Sequence, residues 1–377
     1  MKVALVVPGG VDPSGEHRVI PALLALLFRL SSRHEVHVFA LHQQDRPATW
    51  QLAGARIHNI GRGRTRLRAV RAISAEHAVR AFQLVHSIWS ASPGLVAVAA
   101  GRLLRIPTAV HLTGGEVVAL PAIGFGGRQT WKGRVREQLI LRMATAITAT
   151  SFPMVRAVEA LGMAASRLPL GVDLCAWPPR VPVPRDSSAP ARLIHVGSLN
   201  RVKDQPTLLR ALAELLRSGV EFELDVVGED TLGGEVQAFA AQLGLAERVR
   251  FHGFLTQREL RPLLESAHLM ILSSRHEAGP YVLLEAAVVG VPTVGTAVGH
   301  IAEWAPQAAV SVPVADWSAL ATAIRQVLGD DDLRLRIAHA AQERALAEDA
   351  DHTAACFEAL YGRLTGTSPP MNLRVGS

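Results

Sequence analysis

Two glutamates and one lysine carry the clearest chemical signal in this chain. In LMILSSRHEAGPYVLLEAAVVGVPTVGTAVGHIAEW, residues 269–304, Glu277 and Glu285 have seven residues between them. Leu269–Leu272 has the length and apolarity of a buried strand, and Ser273 and Ser274 end it. A helix is predicted from Val282 to Val289, stopped by Gly290 with Pro292 beyond it. A second strand, Pro292–Gly295, leads to a predicted turn at Gly299. Glu277 then sits on the loop and Glu285 a turn into the helix. Both face the space beyond the strand's carboxyl end, where open α/β sheets bind ligands. Either glutamate alone reads equally well as a helix-start acid favoured by the dipole. The pair reads differently, because Glu285 stands inside the apolar run VLLEAAVV. A charge buried there needs a hydrogen-bond partner, and a ligand's pair of hydroxyls would serve.

A second constellation lies at VGSLNRVKDQPTLLRAL. A strand over 192–196 runs into a loop carrying Ser198, Arg201 and Lys203, and a helix starts at Pro206. Backbone amides at a helix start bind anions, and a lysine adds a point charge for a phosphate. A solvated basic turn is the plain alternative. Ser14-Gly15, after the first strand, is another candidate approach to phosphates. His111, on the strand PTAVHLTGGE, shares a face with Thr113, and either its burial in a core or a place at the strand's carboxyl end fits the pattern. Asp330-Asp331-Asp332 precedes a helix and is explained by N-capping. There is no Walker loop, no zinc-ligand spacing and no GxGxxG fingerprint.

The elements that must hold these groups alternate in type. Strands at 3–7, 35–40, 55–60, 84–86, 107–112 and 146–150 are separated by helical stretches, the pattern of a doubly wound parallel sheet. The stretch 176–190, with Pro178, Pro179, Pro182, Pro184 and Pro190, reads as a linker. After it the alternation restarts. The 377 residues, 49% hydrophobic and 19% charged, fit a two-domain globular enzyme. Cys175 and Cys356 make neither a metal spacing nor a disulfide framework, which suits a reducing compartment. The opening MKVALVVPGG reads as a strand, and no apolar run is long enough to span a bilayer. A cytoplasmic protein is expected. The net charge of +6 conceals an asymmetry: residues 1–180 hold 22 Lys/Arg against 9 Asp/Glu, and residues 181–377 hold 17 against 24. A negatively charged partner that meets the first half is implied.

Taken together, SGEHRVIPALLALL with HEVHVFAL, LPLGVDLCAWPP, VGSLNRVKDQPTLLRAL and HEAGPYVLLEAAVVGVPTVGTAVGHIAEW resemble glycosyltransferase family 4, the group 1 set of GT-B enzymes. The resemblance covers nearly the whole chain. It implies two Rossmann-like doubly wound α/β domains facing across a cleft. Residues 1–177 would bind the acceptor, 178–190 form the linker, and 191–350 bind the nucleotide-sugar. Residues 351–377 would make a C-terminal helix, packing back on the first domain, and a tail. It further implies retaining, metal-independent transfer of a sugar from a UDP- or GDP-sugar. Lys203 would bind the diphosphate and Glu285 the ribose hydroxyls. Glu277, with Ala278, Gly279, Pro280 and Tyr281, would hold the sugar, and Gly15 would let the first domain approach the phosphates.

The chain departs from that pattern in three places. Ser198 replaces the usual Arg, so Arg201 is the candidate second charge. Gly279-Pro280 replaces Phe-Gly, and Pro280 has no N–H to offer. The catalytic His position aligns with Thr113, with His111 two residues earlier. Because the first half is basic, the acceptor is expected to be anionic or lipid-linked, as in glycan, cell-envelope or exopolysaccharide synthesis. Arg62–Arg71 and GGRQTWKGRVREQLILRMA could meet an anionic inner membrane face, with Trp131 dipping in. A nucleic-acid partner is not expected. The alternatives are a nucleotide-sugar-binding protein without turnover and a nucleotide-sugar epimerase on the same fold.

Overall fold

The computed structural model describes residues 1–367; the expected tail, residues 368–377, lies outside the described residues. The first sheet is built from β1 (Lys2–Val7), β2 (Glu35–Ala40), β3 (Ala48–Leu52), β4 (Ala55–Asn59), β5 (Leu84–Ile88), β6 (Thr108–Leu112), β7 (Ala146–Ala149) and β8 (Ser166–Arg167). Helices α1 (Pro21–Ser31), α2 (Thr65–Val79), α3 (Ala91–Leu104), α4 (Trp131–Met143) and α5 (Phe152–Glu159) cross between them. The second sheet contains β9 (Ala191–Val196), β10 (Phe222–Val227), β11 (Val249–Gly253), β12 (Leu269–Leu272), β13 (Thr293–Thr296) and β14 (Val310–Val312). Its helices are α6 (Gln205–Arg217), α7 (Glu235–Gln242), α8 (Gln257–Ser266), α9 (Tyr281–Val288), α10 (Gly299–Trp304), α11 (Trp317–Gly329) and α12 (Asp331–Ala347). A last helix, α13 (Ala350–Thr365), closes the described chain.

The strand orders are β3-β4-β2-β1-β5-β6-β7-β8 and β11-β10-β9-β12-β13-β14. All pairings are parallel except β3 with β4. Both sheets therefore reverse direction once, between β1 and β5 and between β9 and β12. Ligands of open α/β sheets bind outside the strand ends at such points. The central strands β1, β5, β6 and β12 are buried along their whole length because helices cover both faces. In β1, Val3, Leu5 and Val7 enter the core beneath α1, while Ala4 and Val6 enter the core beneath α2 and α3.

The sequence pattern missed β3, a short edge strand of half-exposed residues joined to β4 through Ala53-Gly54. Both turn residues have positive φ, 49° and 79°, the geometry of a two-residue hairpin turn. The turn expected at Gly299 is instead the first residue of α10. Asp330 caps α12 as expected, its carboxylate accepting from the Leu333 amide at 2.9 Å. Helix α13 crosses back to the first sheet, where Phe357, Leu360 and Tyr361 join the α1 core. Fully burying Phe357 and Tyr361 stabilises this return by roughly 1.5–3 kcal/mol per side chain.

Candidate active site

The two reversal points put four loops at one cleft. Two belong to the first sheet, residues 8–20 after β1 and 89–90 after β5. Two belong to the second, 197–204 after β9 and 273–280 after β12. In the 197–204 loop, the Asn200 carboxamide oxygen accepts from the amides of Val202 (3.1 Å) and Lys203 (3.0 Å), fixing a tight turn. The stem of Lys203 lies over Gly197, where an added Cβ would stand 3.2 Å from the lysine Cε. Glycine at that position is what lets the side chain cross the loop.

Lys203 Nζ donates to Glu277 Oε1 at 2.5 Å, and the Ser274 hydroxyl donates to the same oxygen at 2.6 Å. The side chains of Lys203 and Glu277 are only 21% and 11% exposed, so this pair is largely shielded from water. The candidate phosphate cation and the candidate sugar carboxylate thus occupy one another. Ser198 lies on the same loop, and its carbonyl accepts from Gln205. Arg201 is exposed at the loop tip, so the structure does not bring it into the Lys203–Glu277 pair.

Glu285, on the first turns of α9, is 2% exposed. Burial pushes its pKa up to about 7, and a hydrogen bond from Gln257 offsets part of that rise. Gln257 is aligned by the linker, since Trp177 Nε1 donates to its carbonyl oxygen at 2.5 Å. Glu285 Oε1 has no hydrogen-bond partner among the described residues. A buried carboxylate oxygen left bare is costly for the protein alone and calls for a donor from a ligand.

A 340 Å³ cavity beside this group is lined by Gly15, Val19, Trp177, Gln257 and Tyr281, from both halves of the chain. Gly15 has φ +70°, a backbone conformation available to glycine at little cost. A smaller cavity of 100 Å³ adjoins it, lined by Pro21, Trp89, Thr113, Gly279 and Tyr281. Ala278 is buried in the first sheet's core, and its carbonyl accepts from the Ser151 hydroxyl. Gly279 packs on His300, whose Cε1 would lie 2.7 Å from an added Cβ. His300 Nε2 in turn reaches the Thr150 carbonyl at 3.2 Å. Pro280 caps α9 without a side-chain hydrogen bond. The Tyr281 hydroxyl donates to the Gly171 carbonyl at 3.2 Å, and burial raises its pKa.

His111 is not in the cleft. Its ring is fully buried, Nδ1 lies 2.9 Å from the Thr148 hydroxyl, and the imidazole meets Phe357 of α13 at 5.3 Å. Burial pushes its pKa down to about 3. The alternation of side chains along β6 explains the placement: His111 points to the α13 face, and the strand ends before Thr113, which does line the cleft. This corrects the expectation that His111 serves catalysis.

Several supporting residues escaped sequence reasoning. His195 bridges the two central strands of the second sheet, with Nδ1 at 2.9 Å from the Ile271 carbonyl and Nε2 at 3.2 Å from the Gln205 amide nitrogen. Burial pushes its pKa down to about 4, so the neutral ring braces the 197–204 loop and the start of α6. Arg275 Nε holds Asp204 Oδ2 at 3.0 Å. The buried Glu116 carboxylate accepts from the amides of Gly114 (2.7 Å), Thr113 (3.4 Å) and Ser90 (3.4 Å), and so shapes the loops after β5 and β6. Their partners lie elsewhere in the fold, and those partners define their roles.

Comparison with known proteins matches residues 15–172 to a "Glycosyl transferase 4-like domain" and residues 184–344 to "Glycosyl transferases group 1". Glycogen synthase of Mycobacterium tuberculosis is 34% identical over 183 residues, covering 48% of this chain and 44% of that protein. The chain thus spans less than half the length of that curated relative. Sucrose-phosphate synthase from Thermosynechococcus elongatus superposes with a TM-score of 0.79 at 21% identity, covering 98% of this chain and 100% of that one. Anabaena HepE, in complex with UDP and glucose, superposes with a TM-score of 0.75 at 18% identity over 96% and 100%. At these identities the structural likenesses establish the shared two-sheet GT-B fold.

Proposed function

Because the chain belongs to the group 1 glycosyl transferases, we propose that it moves a glycosyl group from a nucleotide-sugar to an acceptor hydroxyl with retained anomeric configuration. The observations that support this most directly are the Lys203–Glu277 pair and the bare Glu285 oxygen beyond the second sheet's strands, with the left-handed Gly15 lining a cavity that reaches Gln257, the partner of Glu285. In this reading Lys203 exchanges Glu277 for the donor diphosphate. Glu285 accepts the ribose hydroxyls, which supply the donors its carboxylate lacks. Glu277, freed from Lys203, and the backbone of Ala278 and Gly279 hold the sugar, with Tyr281 behind them.

The bond between the anomeric carbon and the diphosphate oxygen breaks, and the acceptor oxygen bonds to that carbon. The acceptor's proton passes to the departing diphosphate. Charge developing on the leaving group is met by the preorganised Lys203 ammonium and the start of α6, so the reaction is expected to run without a metal ion. Uridine donors are the first choice, since structural neighbours are described with UDP and UDP-glucose. The test is release of nucleoside diphosphate from a panel of UDP- and GDP-sugars with a mixed glycan and lipid-linked acceptor pool. Release from at least one donor is expected, and tight binding without release from any would reject transfer. That second outcome is the reading favoured by one observation, the withdrawal of the His111 imidazole into the core.

The acceptor is proposed to be anionic or lipid-linked and met at the inner face of a membrane. No helix among the described residues is long and apolar enough to cross a bilayer. Helix α4, however, exposes Trp131 (65%), Val135 (59%) and Leu139 (47%) at four-residue spacing, one stripe along its outer side. Lys132, Arg134 and Arg142 are exposed on the same helix. An apolar stripe flanked by cations suits the interface of an anionic bilayer. Liposomes containing phosphatidylglycerol are expected to bind the protein and neutral liposomes to bind it much less, with Trp131→Ala weakening the former. Equal, negligible binding to both would end the membrane reading.

A further inference from the structure

Outside the cleft, His37 on β2, His58 on β4 and Glu76 on α2 converge beneath α2. His37 Nδ1 lies 3.0 Å from His58 Nε2 and 3.6 Å from Glu76 Oε2. One ligand atom from each of the three falls within 4.8 Å of the other two. A cation bound tetrahedrally at about 2.0–2.2 Å by nitrogen and oxygen ligands spaces neighbouring ligand atoms by roughly 3.3–3.6 Å. The two shortest separations bracket that range.

Three further features favour a bound ion over a simple polar contact. His37 Nε2 lies 3.1 Å from Glu35 Oε1, so this nitrogen carries the proton and the Nδ1 lone pair is turned to the cluster. A carboxylate holding the far nitrogen of a ligand histidine is the usual outer partner of a metal site. The rings are also held in place: Phe39 stacks on His58 at 4.8 Å and Phe82 meets His37 edge-on at 5.4 Å. Finally, the Glu76 carboxylate makes no hydrogen bond among the described residues. Lys2 Nζ stands 4.0 Å from it but donates to the Glu76 and Arg80 carbonyls at 3.0 Å each.

Helix α2 has a use for such a tie. In its 15 residues only Ala69 and Ile73 are buried, so little apolar contact holds it to the sheet.

We propose that His37, His58 and Glu76 form a structural site for a first-row divalent metal of the zinc class, fastening α2 to β2 and β4. Two imidazole ligands favour zinc, cobalt or nickel over magnesium and calcium, which prefer oxygen. Water completes the coordination. The neighbouring Lys2 ammonium lowers the affinity without occupying a ligand position.

The test is titration of the tag-free full chain, stripped with EDTA, with Co2+. One equivalent is expected to produce a visible d–d band that Zn2+ displaces, and to raise the thermal midpoint. His58→Ala is expected to abolish the band. Glu35→Gln, which removes the outer carboxylate, is expected to weaken binding about 10–100-fold. Glu76→Gln changes a side chain that is 22% exposed, so its circular dichroism should match the parent while cobalt affinity falls. Absence of saturable uptake, or uptake unchanged in both Glu76→Gln and His58→Ala, would overturn the proposal.

Discussion

Glu285→Gln is expected to make the donor-free protein more stable at pH 8 and a poorer binder of its donor. The carboxyl titrates at about 7 in the fold against 4.5 for the free group, chiefly because it is buried. Below pH 4.5 folded and unfolded chains both hold the proton. Between pH 4.5 and 7 the folded chain holds it and the unfolded chain gives it up, so stability falls as pH rises. Above pH 7 the cost is complete, at about 3 kcal/mol. Glutamine never ionises, so its advantage is absent at pH 4, grows across that window and is full at pH 8. With roughly 2–4 °C per kcal/mol for domains of this size, the thermal midpoint should rise by several degrees.

In the proposed donor complex the same change would remove two charge-assisted acceptors from the ribose, and donor affinity should fall by about 1.5–3 kcal/mol, or roughly 10–150-fold. A parent protein that keeps a destabilising charge only for its ligand is the pattern of a functional residue. Differential scanning fluorimetry across pH, with and without UDP, reads both effects. Equal midpoints at pH 8, or unchanged UDP affinity, would remove Glu285 from the ribose role.

Lys203→Ala should have the larger effect on turnover. Among the described residues the ammonium is the one cation placed on Glu277, at 2.5 Å, and in the proposed reaction it meets the charge that develops on the diphosphate. Loss of a preorganised charge partner of this kind costs roughly 10²–10³ in rate. Nucleoside diphosphate release under saturating donor should fall by that factor while the fold is kept. Arg201→Ala is the internal control. Arg201 is exposed and enters no ion pair among the described residues, so a change of a few-fold at most is expected. If Arg201→Ala cost as much as Lys203→Ala, the phosphate charge would be shared and the loop would have to close on the donor. Comparable release by Lys203→Ala and the parent would remove Lys203 from the mechanism.

How much of this was legible in the chain can be followed residue by residue. Glu277 and Glu285 could be paired in advance because strand, loop and helix are contiguous, so spacing alone carries them to one strand end. Lys203 was legible for the same reason, lying a few residues past its strand. Both doubly wound sheets followed from the alternation of apolar runs with amphipathic stretches, which local periodicity encodes. His111 could not be placed that way. Whether a strand residue faces a cleft or a core depends on what covers that face, and α13, more than two hundred residues later, covers this one.

The bracing set is tertiary for the same physical reason. His195, Gln257, Glu116 and His300 gain their roles from partners 10, 80, 26 and 150 residues away, and no local pattern marks them. The sequence by itself determined the two-domain α/β class, the position of Lys203, Glu277 and Glu285 just past their strands, and the opposite charge of the two halves, because each is a property of neighbours along the chain. Only the tertiary structure decided that Lys203 is occupied by Glu277, that Glu285 is left with a bare oxygen, and that Thr113 rather than His111 reaches the cleft. Those are matters of burial and of long-range pairing, which depend on how distant segments meet.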